Sequence, residues 1–377
     1  MNNEIKLLIT GDFCPVNRVN NLAISGDYIT VFNDLLPIIR RSDLSITNLE
    51  CPLTTTQKRI VKTGPHLKAE RSAAKMIADA GFKLVTLANN HILDYGLDGL
   101  KSTIQACEEH SIHFVGAGLD YISARAVKYL QIKEYVVAIL NFAENEFSTS
   151  NDKNPGANPF NPFDNYYDIQ EAKKNADLVI VLFHGGHEMF NLPSPRIKKT
   201  FRFYADAGAD VILSHHTHCY SGYEIYGGVP IFYGLGNFIF DKKSKINSEW
   251  NYGYAVEVIF NKVTINYNLI PYEQCNDRAG VSLLTNNIPF EKNIEHLNSI
   301  IKDDELLHYE FQQYCVRVKK MYFSYLEPHS ISFIRYLQNR AILPSILSKS
   351  KRNLYLNLIR CESHRDVIIE LLGNLNS

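Results

Sequence analysis

Short apolar runs alternate with amphipathic stretches through the first two thirds of the chain. "IKLLIT", "DLSITNL", "FKLVTLA", "YVVAILNF", "DLVIVLF" and "DVILSH" are brief and rich in Val, Ile and Leu, so each predicts a buried strand. Residues 70–81 and 98–110 predict amphipathic helices between them, and Gly81 and Gly208 fall where helices should stop. The alternation predicts a layered α/β fold with largely parallel strands. Residues 145–167, with "NDKNPGANPFNPFDNYY", predict a long loop, either a functional cover or a plain surface excursion. "IYGGVPIFYG" opens a stretch, 225–270, that predicts short, mostly antiparallel strands. From about 290 onward, "IEHLNSIIKDDELLHYEFQQYCVRVKKMYFSYL" predicts helices. The expected organisation is therefore a main domain over 1–275 and a helical C-terminal appendage over 285–377.

Length and composition fit this reading. A chain of 377 residues can bury one large core and carry an appendage. A net charge of −1 gives no sign of a polyanionic partner, so nucleic acid is not expected. No apolar run reaches the ~20 residues a membrane span needs. "MNNEIKLLITGD" lacks the pattern of a signal peptide, and the seven scattered cysteines include no CxxC pair. A cytoplasmic protein with reduced thiols is the expectation.

The polar residues that end the strands carry the chemistry. "IKLLITGD" delivers Asp12, "DLSITNLE" Glu50, and "KLVTLANNH" Asn90 and His91. "DLVIVLFHGGHE" delivers His184, then His187 and Glu188, and "DVILSHHTH" delivers His215, His216 and His218. Any one of them reads equally well as a turn, a cap or a core histidine. Sites in open α/β sheets form at the carboxyl ends of strands, so the set would converge. At alternate positions on an extended segment, His216 and His218 would face one side. Carboxylate, amide oxygen and imidazole together suit Mn²⁺, Fe²⁺ or Zn²⁺, and the donors exceed what one ion needs.

The order GD, NLE, NNH, HGGxE, HxH and "YGLGNFIFD" resembles the CapA, or poly-γ-glutamate capsule-biosynthesis, family of the calcineurin-like metallophosphatase superfamily. The resemblance covers roughly residues 5–240. It implies a four-layer α/β/β/α sandwich with two divalent metal ions at the strand ends. Asp12 and His218 would hold one ion, Asn90, His184 and His216 the other, and Glu50 would bridge them. A metal-bridging hydroxide would attack phosphorus. His91 would contact the phosphoryl oxygen or protonate the leaving group, with Asp94 orienting it. Cys14 stands where many superfamily members place a metal-binding histidine. His215 replaces a residue that is commonly small and is taken as structural.

The resemblance implies a phosphoesterase-type hydrolase of a small molecule or polymer. Two alternatives stay open: a non-hydrolytic metal-binding accessory protein working with capsule or polyglutamate biosynthesis proteins, and a γ-glutamyl amide hydrolase. Glu188 is a possible additional metal ligand, and Glu188 and Arg196 are candidate pocket residues, Arg196 for substrate phosphate or carboxylate, with surface salt bridges as the plainer reading. Cys14, Cys51 and Cys219 each flank a candidate ligand. Tight packing under the site is favoured for them, with a Cys14 thiolate as the alternative. Ten Lys or Arg between 316 and 365, interleaved with Tyr322, Phe323, Tyr325, Phe333 and Tyr336, would suit an anionic membrane or polymer. Packing against the main domain is the favoured reading.

Overall fold

The structure is a computed structural model and describes residues 4–326 and 348–373. Strands β1 (Ile5–Cys14), β2 (Leu44–Leu49), β3 (Leu84–Thr86) and β4 (His113–Val115) lie parallel in one sheet. β5 (Ala117–Gly118) leaves it. β6 (Lys128–Ile132) and β7 (Tyr135–Ala143) open a second sheet, and β8 (Gly156–Ala157) returns to pair with β5. β9 (Leu178–His184), β10 (Val211–His215), β11 (Tyr223–Tyr226) and β12 (Val229–Phe232) complete the second sheet, in the order β11-β12-β10-β9-β7-β6. β13 (Asn237–Phe240), β14 (Tyr252–Phe260), β15 (Ile265–Gln274) and β16 (Val281–Leu283) go back to the first.

All six strands expected from apolar runs form. The mostly antiparallel stretch expected over 225–270 forms, with β14 antiparallel to both β1 and β15, and it has two parallel exceptions. β11 and β12 make an antiparallel hairpin, but β12 also pairs parallel with β10, and β13 runs parallel to β1. Partner choice is a tertiary matter that a short apolar run does not encode.

Three buried clusters define four layers. Between the sheets, Leu7, Ile9 and Ile46 meet Ile139, Ile180 and Leu213. On the outer face of the first sheet, Leu8, Phe13 and Val85 pack on residues of the helices Arg18–Ser25 and Ser72–Ala80. On the outer face of the second, Leu140, Val181 and Ile212 pack under the helices Pro162–Asn175 and Pro195–Ala207. The architecture is the α/β/β/α sandwich. The helices Ser72–Ala80 and Pro195–Ala207 end at Gly81 and Gly208, both left-handed (φ 108° and 118°), a conformation that costs glycine little.

The loop expected over 145–167 is shorter than that. Asn161 caps a helix that starts at Pro162, its Oδ1 accepting from the backbone N–H groups of Phe163 and Asp164. From Ile288 onward every described element is a helix. Leu297, Ile301, Leu307, Phe311, Leu358 and Val367 join the core beneath the second sheet. Of the tail aromatics, Tyr322 is buried with its hydroxyl 2.8 Å from His364 Nδ1, while Phe333 and Tyr336 lie outside the described residues. No helix among the described residues is long and apolar enough to cross a membrane.

Candidate metal centre

Five strands from both sheets end at one place. Asp12 lies near the end of β1, and Glu50 directly follows β2. Asn90 and His91 lie in the turn after β3, His184 ends β9, and His216 and His218 follow β10. Two sheets packed face to face thus share one polar edge. The histidine pair does not sit on an extended segment as expected. His216 (φ 88°) and His218 (φ 56°) both adopt left-handed backbone, which non-glycine residues rarely do. Strain of this kind persists where surrounding structure enforces it, commonly at functional sites.

Two groups of donors have the spacing to hold a metal ion. Glu50, His184 and His216 form one, and Asp12, Glu50 and His218 the other; within each, the ligand atoms lie within 4.8 Å of one another. Glu50 belongs to both. Its Oε1 is 3.6 Å from His184 Nε2 and 3.8 Å from His218 Nε2. His184 Nε2 is also 3.1 Å from Asn90 Oδ1 and 3.1 Å from His216 Nδ1. All six candidate ligands therefore come together.

Glu50 is the test of fit. Its side chain is fully buried and neither carboxylate oxygen has a hydrogen-bond partner. A buried polar group without a partner is costly and calls for explanation. Burial, with Asp12 alongside, pushes its carboxyl well above the usual carboxylate range. A cation between Glu50 and the imidazoles would satisfy both oxygens and favour the ionised form. Burial and the neighbouring imidazoles hold His184 well below the usual histidine range, so it is neutral, as a ligand must be. Mixed carboxylate, amide and imidazole donors fit divalent ions.

Two asparagines that the sequence reading did not single out orient this set. Asn237 donates from Nδ2 to the carbonyl oxygens of His218 and Trp250, at 3.2 and 3.1 Å. Its Oδ1 is thereby left to accept from His218 Nδ1, at 2.9 Å, which leaves the Nε2 lone pair free for an ion. Asn48 donates to Asp12 Oδ1 at 2.7 Å and approaches His184 Nδ1 at 3.2 Å. The signals were present: Asn48 precedes Glu50 by two positions in "NLE", and Asn237 is the asparagine of "YGLGN". That motif reaches the site through Gly11, where an added Cβ would lie 1.9 Å from the Gly236 carbonyl oxygen. His215 is structural, its Nε2 2.9 Å from the carbonyl oxygen of Thr10.

His91 sits beside this set. Its Nδ1 is 2.7 Å from Asp94 Oδ2, which also accepts from the Leu67 N–H, while Lys62 pairs with Asp94 Oδ1. Burial would raise the Asp94 carboxyl, but His91 and Lys62 outweigh it and hold it below the usual range. Burial and Lys62 push His91 down, against the pull of Asp94. Lys62 was not foreseen, because its loop carries no pattern that points to the site.

Cys14, Glu188 and Arg196 separate. Cys14 joins the apolar cluster under the first sheet together with Cys51, and neither donor group includes it. Burial pushes its thiol well up. Glu188 lines a cavity of about 750 Å³ that also reaches Asn90, His91 and His216. Arg196 is not among the lining residues. Its guanidinium is bound to Glu144 and, at 2.7 Å, to Asp366, because a buried cation needs carboxylates. It is placed for docking the C-terminal helix rather than for meeting substrate.

Fold and site together define an α/β/β/α sandwich with an edge where two donor groups have the spacing to hold metal ions. Residues 6–242 match the family described as bacterial capsule synthesis protein PGA_cap, and the chain belongs to this CapA family. "Capsule biosynthesis protein CapA" of Bacillus anthracis is 33% identical over 250 residues, 64% of this chain and 61% of its own. "PGA biosynthesis protein CapA" of Bacillus subtilis (strain 168) is 35% identical over 237 residues, 62% of each chain. A "Probable polyglutamine synthesis accessory protein" of Mycobacterium tuberculosis is 30% identical over 248 residues, 62% of this chain and 65% of its own. The chain thus spans less than two thirds of the length of each of these relatives.

Proposed function

We propose that this protein is a CapA-type hydrolase that depends on two divalent metal ions and acts on a phosphate ester. The observation that carries the reading is Glu50, a fully buried carboxylate with no hydrogen-bond partner, shared by two donor groups. Asp12, His218 and Glu50 would hold one ion, and Asn90, His184, His216 and Glu50 the other. Bound ions would supply Lewis acidity to a phosphoryl oxygen and a nucleophile from water at neutral pH.

The chain's own residues position substrate and move the proton. His91 lines the cavity with Nδ1 committed to Asp94, so Nε2 is the nitrogen left for substrate. An arriving phosphate is an anion and favours the imidazolium, opposing the burial that holds His91 neutral at rest. The proton gained at Nε2 is then in place for the departing oxygen. Lys62 and the Leu67 N–H fix Asp94, and Asp94 fixes the ring.

A non-hydrolytic accessory role in polymer synthesis is the second reading, favoured by the name of the Mycobacterium tuberculosis relative. Polymer-synthesis proteins would then be its partners. Metal analysis after anaerobic reconstitution, with a screen of phosphomonoesters, phosphodiesters and γ-glutamyl amides, separates the readings. Two bound metals and phosphoester turnover are expected, with His91→Ala lowering kcat by roughly 10²- to 10⁴-fold while metal stays bound. Failure to bind metal sinks the central reading. Two metals with no turnover of any class favours the accessory role, and turnover of the amides alone makes the protein a γ-glutamyl hydrolase.

A further inference from the structure

The cavity has two unlike sides. His91, His216 and Glu188 form one, at the strand ends. The other is built by the helices Asp304–Leu326, Lys349–Arg360 and Glu362–Gly373, through Val318, Met321, Leu354, Leu358 and His364. This second wall lies wholly outside residues 6–242, the segment the family shares. What it recognises is therefore set by this chain's own C-terminal part.

The wall is held firmly against the site. Ser363 Oγ donates to Glu144, whose other oxygen pairs with Arg196, and Arg196 also bonds Asp366 at 2.7 Å. The Ser363 carbonyl oxygen lies 2.9 Å from His187 Nε2, and the Gly186 N–H donates to Glu144 Oε2 at 3.2 Å. Glu362 accepts from the Asn145 N–H and Nδ2 at 3.0 and 2.9 Å. These bonds tie the last helix to the segment after β7 and to the loop that follows His184, so the two sides of the cavity are in register.

On this mostly apolar wall Arg317 stands out. It lines the cavity, is exposed, and makes a cation–π contact with Tyr314, its Cζ 5.8 Å from the ring centroid. Among the described residues no carboxylate forms an ion pair with it. The other charges of the cavity are engaged: Lys62 with Asp94, and Glu146 with the nearby charge of Arg360. Glu188 belongs to the strand-end side, close to His218 and His216. A volume of about 750 Å³ admits a ligand that reaches from one side to the other.

Resting on the phosphoester reading, we propose that Arg317 binds a second anionic group of the substrate, across an apolar spacer from the reacting phosphate. The substrate class is a phosphate ester that carries a remote carboxylate or second phosphate. A guanidinium recognises either through paired N–H donors.

Calorimetry with two non-hydrolysable probes tests this on the metal-loaded protein: phenylphosphonate and 4-carboxyphenylphosphonate. Wild type is expected to bind the carboxylated probe roughly tenfold more tightly, the scale of one charge-assisted contact. Arg317→Ala should abolish that preference and leave phenylphosphonate affinity unchanged, and Arg317→Lys should keep part of it. An equal preference in wild type and Arg317→Ala, no preference in wild type, or no binding of either probe overturns the proposal. Turnover of the corresponding phosphate esters is scored separately. Preference without turnover sinks the hydrolase reading and leaves the anion site standing.

Discussion

Glu50 makes one sharp prediction at the scale of single residues. In the metal-free protein its buried carboxylate is a cost, so Glu50→Gln should leave metal-free stability equal or higher. Wild type should gain ~2.7 kcal/mol at a hundredfold excess of ion over Kd, read as a rise in Tm, and Glu50→Gln should lose that gain. An undiminished metal-induced rise in the variant would remove Glu50 from the site. Gly11 makes another. Its hydrogen faces the Gly236 carbonyl, and a methyl group there forces two backbones apart. Gly11→Ala should cost on the order of 1–3 kcal/mol and weaken metal binding, since Asp12 is the next residue. Chemical denaturation with a metal titration checks both effects, and a neutral outcome would mean the β1–β13 contact yields easily.

At the scale of elements, the helix Pro195–Ala207 is pinned to β11 by Arg202 and Glu224, 2.7 Å apart, with the Tyr233 hydroxyl donating to the same carboxylate at 2.6 Å. Burial would raise the Glu224 carboxyl, but Arg202 and Tyr233 outweigh it and hold it below the usual range. A depressed carboxyl contributes stability above its unfolded pKa, about 4.3, and loses it as pH falls through the lower folded value. Glu224→Gln should therefore cost ~1–2 kcal/mol near pH 7, a gap that closes in acid below about pH 4. Urea unfolding from pH 7 to pH 3 measures it; a gap independent of pH would show that the charge of Glu224 is not what matters. Strand and helix positions were legible at this scale because period and length survive in the sequence. The helix at Pro162 was missed because it buries little beyond Asn165, Ile169 and Ala172, so its apolar stripe is faint beside the Asn and Pro signals around it.

For the whole molecule, the C-terminal helices complete a core and a cavity. Truncation before residue 362 would strip Glu144 of Ser363 and Arg196 of Asp366, and would uncover Leu358 and part of the second core. Glu144 and Arg196 would keep each other but lose these charge-assisted bonds, each worth ~1.5–3 kcal/mol, so the truncated chain should unfold at lower denaturant and bind hydrophobic dyes. Digestion should open first at residues 185–190, the loop that the last helix holds. Unchanged stability and protection would show the terminal helices to be an independent attachment. The basic composition of the tail suggested a surface for anions. Packing against the main domain is the favoured reading, and among the described residues Tyr322, Leu358 and Cys361 are buried while Lys319, Lys349 and Arg352 stay exposed and Arg317 lines the cavity.

By itself the sequence determined the layered α/β class, the six principal strands and the residues that end them. Apolar runs and the polar residues beyond them are local facts, and hydrophobic burial turns them into strands and strand ends. Only the tertiary structure decided which strand ends meet, that β13 lies against β1, and that His216 and His218 present their rings from left-handed turns. Only it separated Arg196 from the cavity and brought Asn48, Asn237, Lys62 and Arg317 to their places. Distances between segments far apart in the chain depend on how two sheets and their covering helices pack, and no local pattern records that.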